Sequence, residues 1–380
     1  MTTTFPPAGA SAPAAHRLPS SALDPVRLAR AKRSFTTRNV ARLHTADAAG
    51  WSLLADDEIV PRAGDLVLAR VTELGQHTRL ERPDGRRATL HQGDEIVIAY
   101  GARYAPDQFE GVVPDDLGPC DLLAAGGVAG TCIARSEAVG KPTRIEPLGV
   151  LACDARRASL RDWTPLAPPA QRQPAVPHPA VIGVAGTAMN AGKTTALAGL
   201  VRGLTDAGVR VGAAKVTGTG AGGDVWLYRD AGAEWVRDFT DAGHASTYQV
   251  DIGELERVAA ALVDDIATAG ADVVLVEIAD GVLQAEAAAL LASPVLHGLL
   301  DGLVFAAGDA LSAAAGAKRL AALGYEVLAV TGRFTASPLA LREARQELSL
   351  GGPVAGYSEL RDPAVATAVA RRHSSSQDTA

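Results

Sequence analysis

The sequence predicts an α/β protein: a doubly wound, mainly parallel sheet, preceded by a small β-rich, barrel-like domain. Three observations carry this. A glycine-bearing loop, Gly186-Thr187-Ala188-Met189-Asn190-Ala191-Gly192-Lys193-Thr194-Thr195, lies between a short apolar run and a helical pattern. Beyond it, apolar runs and helical stretches alternate as far as Leu348, which is how parallel strands with crossover helices read. Before it, short alternating runs are divided by Asp-Gly and Gly-Asp turn signals, the pattern of a small all-β unit.

In chain order, residues 1–20 are rich in Ala, Pro, Ser and Thr and are expected to be disordered, as is the tail at 371–380. Residues 21–163 form the β-rich domain. Asp65 to Val71 and Glu95 to Tyr100 read as strands, Thr78 to Arg82 alternates, and Pro83-Asp84-Gly85 is a turn. The stretches 101–111, 124–130 and 141–143 are either a surface for a substrate or partner or the loops of the barrel. Repeated prolines make 164–179 a semi-rigid linker into an NTPase domain at 180–370.

The loop has a specific chemistry. Ala180 to Ala185 has the β-branched, apolar character of a strand buried on both faces, and Ala196 to Leu204 has helical spacing. Between them, Gly186, Thr187, Asn190, Ala191 and Gly192 turn backbone N–H groups toward phosphate oxygens at the positive end of the helix. Lys193 is expected to reach the β- and γ-phosphates, Thr194 to ligate Mg²⁺, and Thr195 to meet the α-phosphate. Thr187 stands where the first glycine of such loops is usual, with Gly186 one residue earlier. The expected cofactors are ATP and Mg²⁺. The choice between ATP and GTP is left open: no clear Asn-Lys-x-Asp guanine-reading motif appears, and Gly308-Asp309 is only a weak stand-in for one.

Further strands are expected at 209–215, 272–277, 302–307 and 326–331, with helices at 255–269, 310–323 and 338–348. Ligands of such sheets gather at the strand C-termini, where the polar residues fall. Lys215 opens a glycine-rich stretch reaching Asp224, and Glu277 follows five residues from Asp272 that end a central strand. Together with Lys193, these are the candidate catalytic residues, and Thr194 and Glu277 are the candidate Mg²⁺ ligands. The run from Asp238 to Tyr248, with His244, reads either as a substrate-binding lid or as an ordinary capped turn.

Composition narrows the classes. A formal charge of −7 argues against nucleic acid and anionic membrane as partners. Cys120, Cys132 and Cys153 match no zinc spacing and read as small buried residues. Neither a signal-peptide pattern nor a membrane-spanning apolar run appears, so a cytoplasmic location is expected. A homodimer is left open.

The loop, Lys215 at the next strand end, and Val276-Glu277-Ile278-Ala279-Asp280-Gly281 resemble the dethiobiotin synthetase-like branch of P-loop proteins. That branch includes cobyrinic acid a,c-diamide synthases and the nucleotide-binding protein of molybdopterin guanine dinucleotide synthesis. The DUF1611 group is also similar, at Gly186-Thr187 and around Asp230-Ala231-Gly232-Ala233. The resemblance spans about 180–360 and leaves the β-rich domain unmatched. It implies Lys193, Thr194 and Thr195 on nucleotide and metal, Glu277 as the second metal-site acid, and Lys215 with Asp224 facing a substrate. Dethiobiotin synthetases have small glycine-rich residues where Ala279 and Asp280 stand here. The expected function is NTP- and Mg²⁺-dependent activation of an unidentified small molecule, of kinase or ligase type. The alternative is a nucleotide-hydrolysing binding or delivery protein acting on a protein partner. A polynucleotide kinase fits the domain order but not the charge.

Overall fold

The computed structural model describes residues 21–45, 50–167, 178–348 and 353–371. The expected disordered N-terminus, the linker residues 168–177 and the tail at 372–380 lie outside the described residues.

Five strands of the N-terminal part close into a ring: β1 (Leu66–Glu73), β2 (Glu95–Tyr100), β3 (Cys120–Ala124), β4 (Val128–Arg135) and β5 (Thr143–Cys153). Strand β1 pairs antiparallel with β2 and β5, β2 runs parallel to β4, and β3 joins β4 to β5 with antiparallel ladders. No strand of the ring is left with a free edge. The period-two pattern decides what fills it. Val67, Ala69 and Val71 alternate with Leu66 and Leu68, and Ile96, Ile98 and Tyr100 alternate with Val97 and Ala99. The first set of each strand packs with Leu122, Ala129 and Ile145. The second packs under Leu28, Val40 and Leu43 of the N-terminal segment. Thr78 to Arg82 stands apart from the ring, with Arg79–Glu81 paired to Arg87–Thr89 across the Asp84-Gly85 turn.

The second unit is a six-stranded sheet whose ladders are all parallel: β6 (Ala180–Gly186), β7 (Val211–Lys215), β8 (Trp235–Asp238), β9 (Val273–Glu277), β10 (Gly302–Ala307) and β11 (Val327–Gly332). Their spatial order is β8-β7-β9-β6-β10-β11. Helices α1 (Lys193–Asp206) and α5 (Pro363–Arg371) bury Leu197, Leu200, Val201 and Val369 on one face. Helices α3 (Ile252–Thr268) and α4 (Ala310–Ala322) bury Leu262, Ile266, Ala313 and Leu320 on the other. Helix α2 (Gly223–Ala231) follows β7.

Several expectations are corrected. Strand β8 was not foreseen: it is an edge strand with alternating burial, so it lacks the apolar run of its neighbours. Thr164 and Leu166, expected in the linker, are packed down. The Thr164 hydroxyl donates to the Asp241 carbonyl at 2.6 Å, and Leu166 joins the core. Arg371, expected in the tail, ends α5. Among the cysteines only Cys120 is fully buried; Cys132 and Cys153 are half-exposed.

The two units are fastened together. Phe35, from the segment before the barrel, lies in the same core cluster as α1. Arg38 donates to Asp238 at 2.9 Å and to Asp241 at 2.7 Å. The backbone N–H of Gly222 reaches the Glu81 carboxylate at 2.8 Å. Gly126, at the turn between β3 and β4, sits so close that a Cβ there would be 1.9 Å from the Gly220 carbonyl oxygen. These contacts set the barrel over the C-terminal edge of the parallel sheet.

Candidate functional site

Strand β6 ends at Gly186 and helix α1 begins at Lys193, so the loop crosses the sheet's C-terminal edge. Gly192, which caps α1, has a φ of +108°, a backbone state open to glycine and strained for other residues. Asn190 adopts the left-handed region at +64°, which asparagine tolerates, and its amide donates to Asp107 of the barrel at 2.7 Å. Thr187 donates its N–H to the Ala306 carbonyl at 2.9 Å, and the Ala191 carbonyl accepts from Arg333 at 3.1 Å. The loop is thereby tied to β10 and to the end of β11. The first-turn amides of α1, from Lys193 to Thr195, are groups a helix leaves without internal acceptors, with the positive end of its dipole behind them.

Lys193 is buried, at 5% exposure, and its ammonium donates to the Ala188 carbonyl at 2.8 Å and to the Asp280 carbonyl. Burial lowers its pKa, against the opposing pull of Glu277 and Asp280. Glu277, at 1% exposure, accepts from the Thr194 hydroxyl at 3.2 Å through one oxygen and from the Tyr228 hydroxyl through the other. Burial, and then the Glu277 charge, push the Tyr228 pKa well above the usual phenol value, so it remains a donor. Lys215 donates to Asp224 on α2. Desolvation works against the Lys215 charge, yet Asp224 and Glu277 outweigh it and the pKa is raised. Burial raises the pKa of Asp280, with Lys215 and Lys193 opposing.

These groups surround a cavity of about 650 Å³ with walls from both units. Asn190, Lys193, Thr194 and Thr195 line it from the loop, and Lys215, Asp224, Glu277 and Asp280 from the strand ends and α2. His77, Arg103, Tyr104, Gln108 and the 124–126 turn close it from the barrel. A second cavity, of about 400 Å³, shares Gly192, Thr195 and Arg333 with the first and continues along Gly332, Thr335 and Tyr357.

Thr194 and Glu277 place two hard oxygen donors 3.2 Å apart beside Lys193. That donor set fits Mg²⁺, which favours carboxylate and hydroxyl oxygens and keeps several waters.

Every residue singled out in the sequence has a definite place. Lys193, Thr194, Thr195, Lys215, Asp224 and Glu277 converge on the one cavity, with Asn190 and Gly192 on its rim; Gly186, Thr187 and Ala191 form the loop's backbone and do not line it. Lys215 and Asp224 face the cavity already paired to each other. The run from Asp238 to Tyr248 does not line it, so the lid reading is withdrawn. Asp238 and Asp241 hold Arg38, His244 bonds Glu254 at 2.9 Å, and the Gly218 N–H donates to the Thr247 hydroxyl at 2.7 Å. Tyr228 was missed, although its spacing of four from Asp224 puts both on one helix face. His77 and Arg333 were missed as well, because nothing local marks them.

Comparison with protein-family models gives no match, and comparison with curated proteins gives none. Among solved structures, the signal recognition particle receptor FtsY from Elizabethkingia anophelis in complex with GDP is similar at TM-score 0.37 and 18% identity, over 56% of this chain and 69% of that one. FtsY from Thermotoga maritima is similar at 0.33 and 16%, over 53% and 72%. The 54 kDa signal recognition particle protein from Aeropyrum pernix K1 in complex with GDP gives 0.27 and 15%, over 55% and 44%. The strand, loop and helix at Ala180–Asp206 give this chain the geometry of a phosphate-binding loop at the C-terminal edge of a parallel α/β sheet.

Proposed function

We propose that the chain is a Mg²⁺-dependent nucleoside triphosphatase whose turnover is coupled to occupancy of the cavity under the barrel. The observation that carries the reading is the juxtaposition of Lys193, Thr194 and Glu277 at the N-terminus of α1. In it, the loop amides and Lys193 bind the phosphates. Thr194 and Glu277 hold the metal, which when bound supplies charge neutralisation at the phosphate oxygens. Tyr228 keeps the Glu277 carboxylate from rotating away. The second cavity, running from Thr195 toward Arg333 and Tyr357, is suited to the nucleoside, which leaves the main cavity beyond Lys193 for whatever the γ-phosphate meets.

In the leading reading the nucleotide is hydrolysed and the barrel transmits its state to a protein partner. That reading is the one the resemblance to the nucleotide-binding protein of molybdopterin guanine dinucleotide synthesis suggests. One observation favours a second reading, transfer of the phosphoryl group to a small molecule: the main cavity extends past the loop to polar side chains of the barrel. With the acceptor beyond the γ-phosphate, positioning and neutralisation are the main tasks left to the protein.

The test is release of the nucleoside diphosphate from MgATP and from MgGTP, with inorganic phosphate followed alongside, alone, with a metabolite pool, and with cell protein. The account predicts Mg²⁺-dependent release that Lys193→Ala abolishes. Stimulation by protein supports the switch, stimulation by a metabolite supports the transferase, and no Mg²⁺-dependent nucleotide binding refutes both.

A further inference from the structure

Arg103 is the buried cation of the cavity wall that neither reading uses. It begins a short two-residue strand leading from β2 toward the Phe109–Val112 strand, and it is 7% exposed. The groups that meet its guanidinium are neutral. One terminal nitrogen donates to the Leu123 carbonyl and lies 3.2 Å from His77 Nε2; the other donates to the Gln108 side-chain oxygen at 2.9 Å; Nε has no partner. The Phe109 ring lies 5.9 Å from the guanidinium carbon. His77 cannot supply charge, since burial and then Arg103 itself bring its pKa down to about 4. Burial brings that of Arg103 down to about 10, with the Asp280 charge pulling the other way, so it is a cation at neutral pH.

The half-buried Arg38 and Arg157, by contrast, face carboxylates, at 2.9 Å and 3.4 Å. A guanidinium taken out of water with neutral partners only is unfavourable. Its planar fork suits a phosphate or carboxylate, and Gln108 and Leu123 hold that fork at the wall of a cavity that Lys193 also lines.

We propose that Arg103 anchors an oxyanion in the cavity that Lys193 also lines, so that the barrel supplies one wall of the reaction site. The oxyanion is either the γ-phosphate of the nucleotide or a carboxylate of a second, small substrate. The proposal rests on the nucleotide-binding reading above for its geometry, but its test separates the two.

The experiment uses the full chain as wild type, Arg103→Met and Arg103→Lys. Titration with fluorescent tri- and diphosphate nucleotides in Mg²⁺ is one arm; thermal stabilisation by sulfate, acetate, succinate and glutamate is the other. A loss of triphosphate affinity of about tenfold in Arg103→Met, with the diphosphate unchanged, assigns the site to the γ-phosphate. Anion-dependent stabilisation present in wild type and lost in Arg103→Met, with both nucleotides unchanged, assigns it to a second substrate. If Arg103→Met binds nucleotides and anions as wild type does, or if neither arm shows any effect of Arg103, the proposal is overturned. Should Arg103→Met fail to fold, Arg103→Lys decides on the same readouts, because it keeps the charge and loses the fork. If wild type binds no nucleotide, the nucleotide-binding reading fails while the anion arm still decides Arg103.

Discussion

Tyr228→Phe removes one oxygen atom and tests how the metal-site acid is held. Tyr228 and Glu277 are both 1% exposed, and the phenol donates to the carboxylate oxygen that Thr194 does not use. Phenylalanine fills the same space, so no cavity term enters. What is lost is a hydrogen bond to a buried charge, worth about 1.5–3 kcal/mol. The thermal midpoint should fall by roughly 3–12 °C. Glu277 is then free to turn from Thr194, and loss of such a supporting partner weakens metal binding by about tenfold to a hundredfold. The assay is a Mg²⁺ titration of fluorescent-nucleotide binding, paired with thermal unfolding of the same samples. An unchanged midpoint with a metal affinity within about twofold of wild type would refute the argument that Tyr228 positions Glu277.

Three further outcomes are expected. Because His77 is held neutral, with a folded pKa of about 4 against 6.5 unfolded, the unfolded chain binds the extra proton between these values. Stability should therefore fall as pH drops from 6.5 to 4, and His77→Gln should flatten part of that slope in urea-unfolding midpoints; an unchanged slope would reject the assignment. Lys215→Met leaves Asp224 without its ion-pair partner and removes one of the two lysines near Glu277 and Asp280, and should destabilise by about 3–5 kcal/mol, partly recovered in Lys215→Met/Asp224→Leu. No recovery in the double variant would show that the pair is not the source of the loss. Arg38→Ala strands two buried carboxylates, Asp238 and Asp241, and should cost a similar ~3–5 kcal/mol and speed proteolysis before the barrel. Wild-type protease resistance would count against Arg38 as the clasp.

What was legible in the sequence follows from local physics. Strands β6, β9 and β10 are buried on both faces, so each reads as an unbroken apolar run, and Glu277 at the end of β9 stands out. Glu277 and the loop were found for that reason. Strand β8 sits at the edge and alternates, and its four residues were indistinguishable from a turn. Barrel closure was foreseen only in outline. Arg103 lies 90 residues before Lys193, and the two line one cavity because the contacts of Arg38, Glu81 and Gly126 set the barrel over the sheet, non-local contacts that no local pattern encodes. The acids of the Asp238 to Asp241 stretch suggested a ligand site; their charge is spent on Arg38, a partner 200 residues away in sequence.

The central claim is that Lys193, Thr194 and Glu277 together bind a metal-complexed nucleoside triphosphate. The most direct measurement is the affinity of the full chain for fluorescent ATP and GTP with Mg²⁺ and with EDTA, in wild type, Lys193→Ala and Glu277→Gln. The account predicts tight binding by wild type only with Mg²⁺, loss of binding in Lys193→Ala, and loss of the Mg²⁺ dependence in Glu277→Gln. Equal affinity with and without Mg²⁺, or Lys193→Ala binding as wild type does, would contradict it.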